Sequence, residues 1–208
     1  MRSTQQGVLL VWDKRVFEKF DCVVGLFSVN VLLKRVVDDF VWACSGVYEP
    51  NEDNLRGALW EELSSMHSRW NAAWCVLEDF NTIRYSSERF GCEAFSPAMF
   101  VFSDFIEAKY LVDLPLEGAS FTLFRDSGSV CMSRIDRTLA SVDWIDHFGN
   151  VSQRVLPRVV FDHCPLLVVA GSVNKGRNAF KFENVVERKG FCREGSAMVE
   201  WVLLFEFS

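Results

Sequence analysis

The chain has 208 residues, of which 50% are apolar and 24% are charged, and it includes 19 Phe and 7 Trp. So much buriable surface excludes a disordered chain, and 12 Gly and 5 Pro exclude the collagen-like and low-complexity classes. The net charge of −6 argues against tight, sequence-independent nucleic-acid binding through a basic face, but not against an enzyme that contacts a phosphodiester briefly through a metal. An acidic excess suits a carboxylate site for a hard divalent cation.

Targeting signals and cysteines also restrict the class of protein. No apolar run approaches the ~20 residues of a membrane-spanning helix, and the apolar run at residues 8–12 is too short for a signal-peptide core. The 7 cysteines form no C-x-x-C pair, so neither a disulfide framework nor a zinc site is predicted. The sequence therefore predicts an intracellular protein, in the nucleus or the cytoplasm, without membrane segment or zinc.

The N-terminal third is predicted to be mostly β-structure. Short apolar or alternating runs predict strands at 7–12, 27–32 and 40–48, with a charged turn at Lys34 and Arg35. The period then changes, because apolar residues recur at helical spacing between residues 55 and 66. An amphipathic helix that packs on a sheet is therefore expected over 51–69.

The rest of the chain alternates between strands and helices. A buried strand is predicted at 74–77, and Ser96-Pro97 is typical of a helix start. After the stretch at 111–116 and a turn, further strands are predicted at 120–124 and 131–139, helical turns at 142–148, and the last strands within 155–169. Strands with a few helices on their outer faces predict a layered α+β sandwich.

Three short segments carry polar residues at the ends of predicted strands: Asp79-Phe80-Asn81, Ser133-Arg134-Ile135-Asp136-Arg137 and Asp162-His163-Cys164-Pro165. If these strands pair, carboxylates, an amide and an imidazole meet at one sheet edge, where they can support metal-assisted phosphodiester hydrolysis. The alternative interpretation is an ordinary Asx turn at residue 79 and a simple loop before Pro165.

In order and spacing, the three segments resemble the endonuclease/exonuclease/phosphatase superfamily, which has the DNase-I-like fold. The closer resemblance is to the endonuclease domain of plant LINE-type non-LTR retrotransposon polyproteins, which carry Gly-Asp-Phe-Asn, Ser-Arg-Ile-Asp-Arg and Ser-Asp-His-x-Pro in this order. The resemblance extends from about residue 7 to about residue 184. It is supported by stretches at 7–13, 46–50, 59–63, 88–91, 111–116 and 118–122.

The resemblance implies catalytic roles for five residues. Asp79 and Asn81 match the pair that positions the scissile phosphate and the attacking water. His163 matches the imidazole that stabilises the transition state or transfers a proton, and Asp136 matches the carboxylate that orients it. Tyr48 matches a phenol that hydrogen-bonds the phosphate.

The resemblance also implies a Mg²⁺ cofactor, with Asp162 as a ligand, and DNA as the ancestral substrate. It implies an N-terminally truncated fold, because the opening strand with its Asn and the next strand with its metal-binding Glu have no counterpart here. Glu18 is no substitute, since it follows the predicted strand at 7–12. The chain also departs from the family pattern at four other positions. Glu49 and Glu78 replace Gly, Phe161 replaces Ser, and Leu123 replaces Trp.

Together these features predict an α+β, DNase-I-like two-sheet β-sandwich flanked by helices over residues 1–183, followed by a divergent tail over 184–208. A frameshift is the hypothesis for the tail, since reading the codons of Met198 and Val199 one base later gives a Trp codon. The expected function is a fragment of a retrotransposon Mg²⁺-dependent DNA endonuclease, impaired or inactive in this copy. Two alternatives stay open: a non-catalytic remnant with at most weak binding, and another phosphodiesterase or phosphatase of the superfamily.

Overall fold

The computed structural model describes residues 8–48, 53–91, 96–126, 130–157, 162–171 and 203–207. Within these ranges, six strands form a first sheet in the order β1 (Phe17–Val24), β2 (Ser28–Arg35), β3 (Val41–Tyr48), β4 (Ala73–Asp79), β9 (Asp136–Ser141) and β5 (Leu111–Asp113). Strands β3 and β4 are parallel, and the other neighbours in this sheet are antiparallel.

A second sheet has four strands among the described residues, in the order β12 (Leu203–Phe207), β11 (Leu166–Ala170), β10 (Ser152–Val155) and β6 (Leu116–Glu117). A separate hairpin joins β7 (Leu123–Asp126) to β8 (Val130–Ser133). The helices are α1 (Asp53–Trp70), α2 (Pro97–Ala108) and α3 (Val142–Phe148), with a 3₁₀ turn at Ser86–Glu88. None of the helices in the described ranges is long and apolar enough to cross a lipid bilayer.

Two apolar layers cover the two faces of the first sheet. Between the sheets, Cys75 and Leu77 of β4 pack with Val168 and Ala170 of β11. On the opposite face, the sheet packs against the helices. Val76 of β4 shares an apolar cluster there with Leu63 of α1 and with Phe102 and Phe105 of α2. This arrangement confirms the predicted α+β sandwich with helices on its outside.

The amphipathic helices were predictable from local spacing. The helix expected over 51–69 is α1, and the helix expected after Ser96-Pro97 is α2, with Ser96 as its N-cap residue. The helical turns expected at 142–148 are α3. The apolar face of α2 is buried and consists of Met99, Phe102, Phe105 and Ile106. Apolar residues at this spacing define one helix face whatever the rest of the chain does.

The strand predicted at 7–12 is wrong for the residues that the structure describes, because 8–13 form no strand. This segment instead lies on the first sheet, with Leu10 and Trp12 packed against the core between the sheets. Gly46 makes room for it, since a Cβ atom there would come within 2.6 Å of Val8 Cγ1. An apolar run can therefore be buried without joining a ladder.

The strand predicted at 131–139 is also wrong as one strand, because it is interrupted at Arg134 and Ile135 and divided into β8 and β9, which belong to different sheets. The strand predicted at 120–124 corresponds to the later β7, and β1 was not predicted. Strand β2 continues through the expected turn at Lys34 and Arg35, and Asp39 then adopts a φ of 59°.

The predicted division between a domain and a tail stays a prediction. Its boundary at 183 and 184 lies outside the described residues, as do most of the residues of the tail. Residues 203–207 form β12, which pairs in parallel with β11. The end of the chain thus contributes a strand to the second sheet.

Candidate functional site

Three of the predicted site residues form one row across three neighbouring strands. Tyr48, the last residue of β3, is in register with Asp79, the last residue of β4. Asp79 is in turn in register with Asp136, the first residue of β9. Residues directly opposite each other on paired strands share a face of the sheet. The row therefore lies at one end of the strands, on the face that Cys75 and Leu77 turn toward the second sheet.

His163 reaches this row from the segment that precedes β11. Its Nδ1 atom lies 3.1 Å from both carboxylate oxygens of Asp136. The side chains of His163 and Asp136 are only 8% and 4% exposed. An ionised carboxylate can only accept hydrogen bonds, so this pairing favours the imidazole tautomer that carries its proton on Nδ1.

Asp79, Asp136 and His163 form a compact group of metal-ligating atoms. One ligand atom of each residue lies within 4.8 Å of those of the other two. Both aspartates are 3% exposed. Like charges directly opposite each other in a sheet are destabilising, so a cation or a proton between these carboxylates would stabilise the site. The group combines two hard oxygen donors with an oriented imidazole.

Asn81 follows Asp79 in a tight turn. An oxygen of Asp79 accepts a hydrogen bond of 2.7 Å from the Asn81 N–H, and Asn81 has a φ of 46°. The Asx turn considered for this segment is therefore present, and it coexists with the cluster rather than replacing it. Phe80 is buried on the helix side of the sheet, where its ring contacts Phe102. The turn thus holds Asn81 beside the end of β4.

Asp162 is placed differently from the other predicted residues. Its carboxylate pairs with Arg125 at 3.0 Å, and both side chains are 56% exposed. It does not belong to the group formed by Asp79, Asp136 and His163. The chain bends at Asp162, immediately before the bridge between His163 and Leu123, and the two side chains have different partners. Its role as a metal ligand stays a prediction.

The positions at which the sequence departs from the family pattern are described only in part. Glu49, Phe161 and the side chain of Glu78 lie outside the described residues, so the expected crowding by Glu78 stays a prediction. Leu123 is buried with Ile83, Met99 and Ile135. At this position an aliphatic side chain fills a small apolar cluster.

Solved structures with the same architecture include nucleases. The "Endonuclease domain of TRAS1, a telomere-specific non-LTR retrotransposon" matches with a TM-score of 0.52 and 16% identity, over 66% of this chain and 60% of that one. The AP endonuclease LMAP from Leishmania major matches with a TM-score of 0.53 and 16% identity, over 66% of this chain and 52% of that one. The chain has a DNase-I-like fold.

The match is confined to the fold and to part of each structure. The chain spans about 60% of the TRAS1 domain and about 52% of LMAP. An endonuclease/exonuclease/phosphatase family protein from Bacteroides thetaiotaomicron matches with a TM-score of 0.47 and 12% identity, over 70% of this chain and 57% of that one. No protein-family profile and no curated protein matches the sequence.

Within the DNase-I-like fold, Thr122 connects the segments that carry Asp136 and His163. Its hydroxyl accepts hydrogen bonds from the N–H groups of Ile135 and Asp136, both at 3.1 Å. Its carbonyl oxygen accepts one of 2.7 Å from the N–H of Cys164. Sequence reasoning missed this residue, although it ends the family-like stretch at 118–122. Only the fold shows that one buried threonine holds both segments.

Proposed function

We propose that this chain is a retrotransposon-type DNA endonuclease domain that hydrolyses phosphodiester bonds with Mg²⁺. The observation that supports the proposal is the convergence of Asp79, Asp136 and His163, whose ligand atoms lie within 4.8 Å of one another at the end of the central strands. The DNase-I-like fold is consistent with it. The chain spans only part of the two nucleases that it resembles, so activity and substrate are both part of the proposal.

The donor set suits Mg²⁺. This ion prefers oxygen ligands and usually keeps several waters, so one or two protein carboxylates are enough to hold it. Asp79 and Asp136 supply two buried carboxylates in register on neighbouring strands. When bound, the ion would neutralise phosphate charge and stabilise the charge that develops during hydrolysis.

The protein residues also act on the reacting groups in the proposed reaction, the two aspartates in addition to holding the ion. Asp136 orients His163 and holds the proton on Nδ1, which leaves Nε2 to exchange a proton with the reacting groups. Asp79 accepts a proton from the attacking water. Asn81 and Tyr48 donate hydrogen bonds to phosphate oxygens, and both are held close to Asp79, by the turn and by strand register respectively.

We further propose that this copy is an impaired enzyme. Asp162, the predicted metal ligand, is paired with Arg125 outside the cluster. A site with fewer carboxylates binds Mg²⁺ more weakly, since affinity depends on the charge and number of ligands. Slow nicking is therefore expected even where the protein folds fully.

Nicking of supercoiled plasmid DNA tests the proposal. The wild-type protein is expected to nick the plasmid with Mg²⁺ and not with EDTA. His163→Ala should be slower by about a hundredfold or more, the usual contribution of a general acid or base. His67→Ala, the same substitution in α1, is the matched control and should retain the wild-type rate. Equal rates for the wild type and His163→Ala would contradict the proposal.

A second substrate separates the alternatives. Bis(p-nitrophenyl) phosphate reports general phosphodiesterase activity without any recognition of DNA. Hydrolysis of this compound that depends on His163, without nicking of DNA, would indicate another phosphodiesterase of this fold. Absence of His163-dependent turnover on either substrate would instead support a non-catalytic remnant.

A further inference from the structure

A buried group of four charged side chains lies behind the site, on the helix side of the first sheet. We call it the ion cluster; it consists of Glu88, Asp113, Arg134 and Arg137. Its members come from three separate family-like stretches of the sequence, at 88–91, 111–116 and 133–137. The proposed reaction uses only Asp136 from these stretches. The role of the charged residues of the ion cluster therefore needs a separate explanation.

Arg137 is the centre of the ion cluster. It follows Asp136 in β9, and its side chain is fully buried. Its guanidinium donates to both oxygens of Glu88, to Oδ2 of Asp113 at 2.6 Å and to the carbonyl oxygen of Arg134 at 2.9 Å. It also lies 5.5 Å from the centroid of the Phe102 ring. The forked shape of guanidinium allows it to bind these groups at once.

Glu88 extends the ion cluster to the loop that follows Asn81. Its carboxylate accepts hydrogen bonds from the N–H groups of Arg84 at 2.7 Å and Tyr85 at 3.1 Å. Its carbonyl oxygen accepts one of 2.8 Å from the N–H of Arg134. Burial alone would raise the pKa of Glu88, but Arg137 and these N–H groups lower it. The carboxyl is therefore held in its ionised form.

Arg134 joins the ion cluster to β5. It donates to Asp113 at 2.8 Å, to the Leu114 carbonyl oxygen at 2.8 Å and to Glu88 at 3.2 Å. Arg134 and Ile135 form the link between β8 and β9, immediately before Asp136. The Ile135 carbonyl oxygen accepts a hydrogen bond of 3.0 Å from the N–H of Phe80. The link is thus tied both to the ion cluster and to the turn after Asp79.

Such a cluster is poorly explained by stability alone. Taking charged groups out of water has a large cost, and replacing buried ion pairs with apolar residues is often neutral or stabilising. The two arginines and two carboxylates balance in charge, and several of their hydrogen bonds reach backbone groups. These groups belong to the link before Asp136, the loop after Asn81 and the residue that follows β5. Positional accuracy at the site accounts for this better than added stability does.

We propose that Arg137 is a positioning residue that holds the start of β9 so that Asp136 meets Nδ1 of His163. The inference rests on the proposed function, because the position of Asp136 concerns catalysis only in an enzyme. The guanidinium does not touch the substrate. It acts through Arg134 and Glu88, which fix the backbone immediately before Asp136. The Thr122 hydroxyl holds the same stretch through the N–H groups of Ile135 and Asp136.

The test compares Arg137→Met with the wild type by two measurements. Long-range ¹H–¹⁵N correlation spectra of the neutral imidazole show which ring nitrogen of His163 carries the proton, with Asp136→Ala as the reference for a ring without its carboxylate. We expect Nδ1–H in the wild type and a shift toward the Asp136→Ala pattern in Arg137→Met. The kcat of nicking should fall about tenfold to a hundredfold, and KM should change less than about twofold.

Controls keep these outcomes distinct. Arg69→Met removes an exposed arginine that pairs with Asp21, and it should leave both measurements unchanged. If Arg137→Met does not fold, the same measurements are made on Asp113→Asn, which preserves the side-chain volume. Smaller shifts in the same direction are expected for that variant. A folded variant with wild-type ring protonation would overturn the inference. The spectra need no activity, so a wild type that fails to nick would refute the proposed function alone.

Discussion

Both carboxylate oxygens of Asp136 lie 3.1 Å from Nδ1 of His163, although 27 positions separate the two residues in the chain. The two side chains are almost completely buried. An imidazole held in this way keeps one tautomer and one orientation. The pair is the main geometric basis for proposing acid–base chemistry at this site.

Asp136→Asn is expected to remove most of the activity while preserving the fold. The amide has nearly the same volume, but its NH₂ group can donate to the ring and so favour the wrong tautomer of His163. Nicking should slow by about a hundredfold or more. Plasmid assays on protein with a native circular dichroism spectrum measure this. Asp146→Asn in α3 is the control, and an equal loss in that variant would refute a specific role for Asp136.

Asp79→Asn is expected to change the response to Mg²⁺. In EDTA, the variant should melt at or above the wild-type temperature, because it removes repulsion between opposed carboxylates and keeps an oxygen for the Asn81 turn. Adding Mg²⁺ should raise the melting temperature of the wild type more than that of the variant, since a ligand stabilises the state that binds it. Equal increases in thermal-shift measurements would place the ion elsewhere.

Thr122→Val is expected to destabilise the protein and slow nicking. Valine has the size of threonine but leaves the N–H groups of Ile135 and Asp136 without their acceptor. An unsatisfied buried donor costs about 1–3 kcal/mol, so urea unfolding should show a loss of about this size. Thr122→Ser keeps the hydroxyl and should lose less. If serine and valine behaved alike, the hydroxyl would have no such role.

Glu62→Ala is expected to weaken the attachment of the β1–β2 turn to α1. The Glu62 carboxylate accepts hydrogen bonds from the N–H groups of Leu26 and Phe27 and from the Ser28 hydroxyl. Its removal should lower the free energy of unfolding by about 1–3 kcal/mol and speed amide exchange at Leu26. Glu61→Ala, at the preceding position in α1, is the control. No difference between the two variants would contradict the assignment.

The pH dependence of stability should reveal the ionised state of Glu88. Burial would raise the pKa of Glu88, but Arg137 and the N–H groups of Arg84 and Tyr85 lower it below the ordinary value of 4.5. A carboxyl with a lowered folded pKa stabilises the fold above its unfolded pKa, and that contribution is lost as the pH falls through the folded value.

We therefore expect the unfolding free energy of the wild type to fall more steeply below pH 4.5 than that of Glu88→Gln. Urea titrations at a series of pH values measure both slopes, with Glu61→Gln as the exposed control. Parallel curves for the wild type and Glu88→Gln would mean that the ionised form of Glu88 does not stabilise the folded state.

Local periodicity was enough to predict α1, α2 and α3, because apolar side chains at helical spacing define a helix face within the segment itself. The strands were harder to predict. The run at 8–12 has the composition of a strand but packs across the sheet, and the polar edge strand β1 lacks the apolar alternation of a half-buried strand. Whether an extended segment joins a ladder depends on partners elsewhere in the chain.

The amino-acid sequence by itself determined the order of the three polar segments, the residue types at the site and the class of fold. Only the tertiary structure decided which of these residues meet. Strand register opposes Asp79 to Asp136, and β9 begins at Asp136 after the link at Arg134 and Ile135. His163 bridges to Leu123 and reaches Asp136, whereas the Asp162 side chain pairs with Arg125 at the surface. Distances between segments far apart in the chain arise from packing and register, which no local pattern encodes.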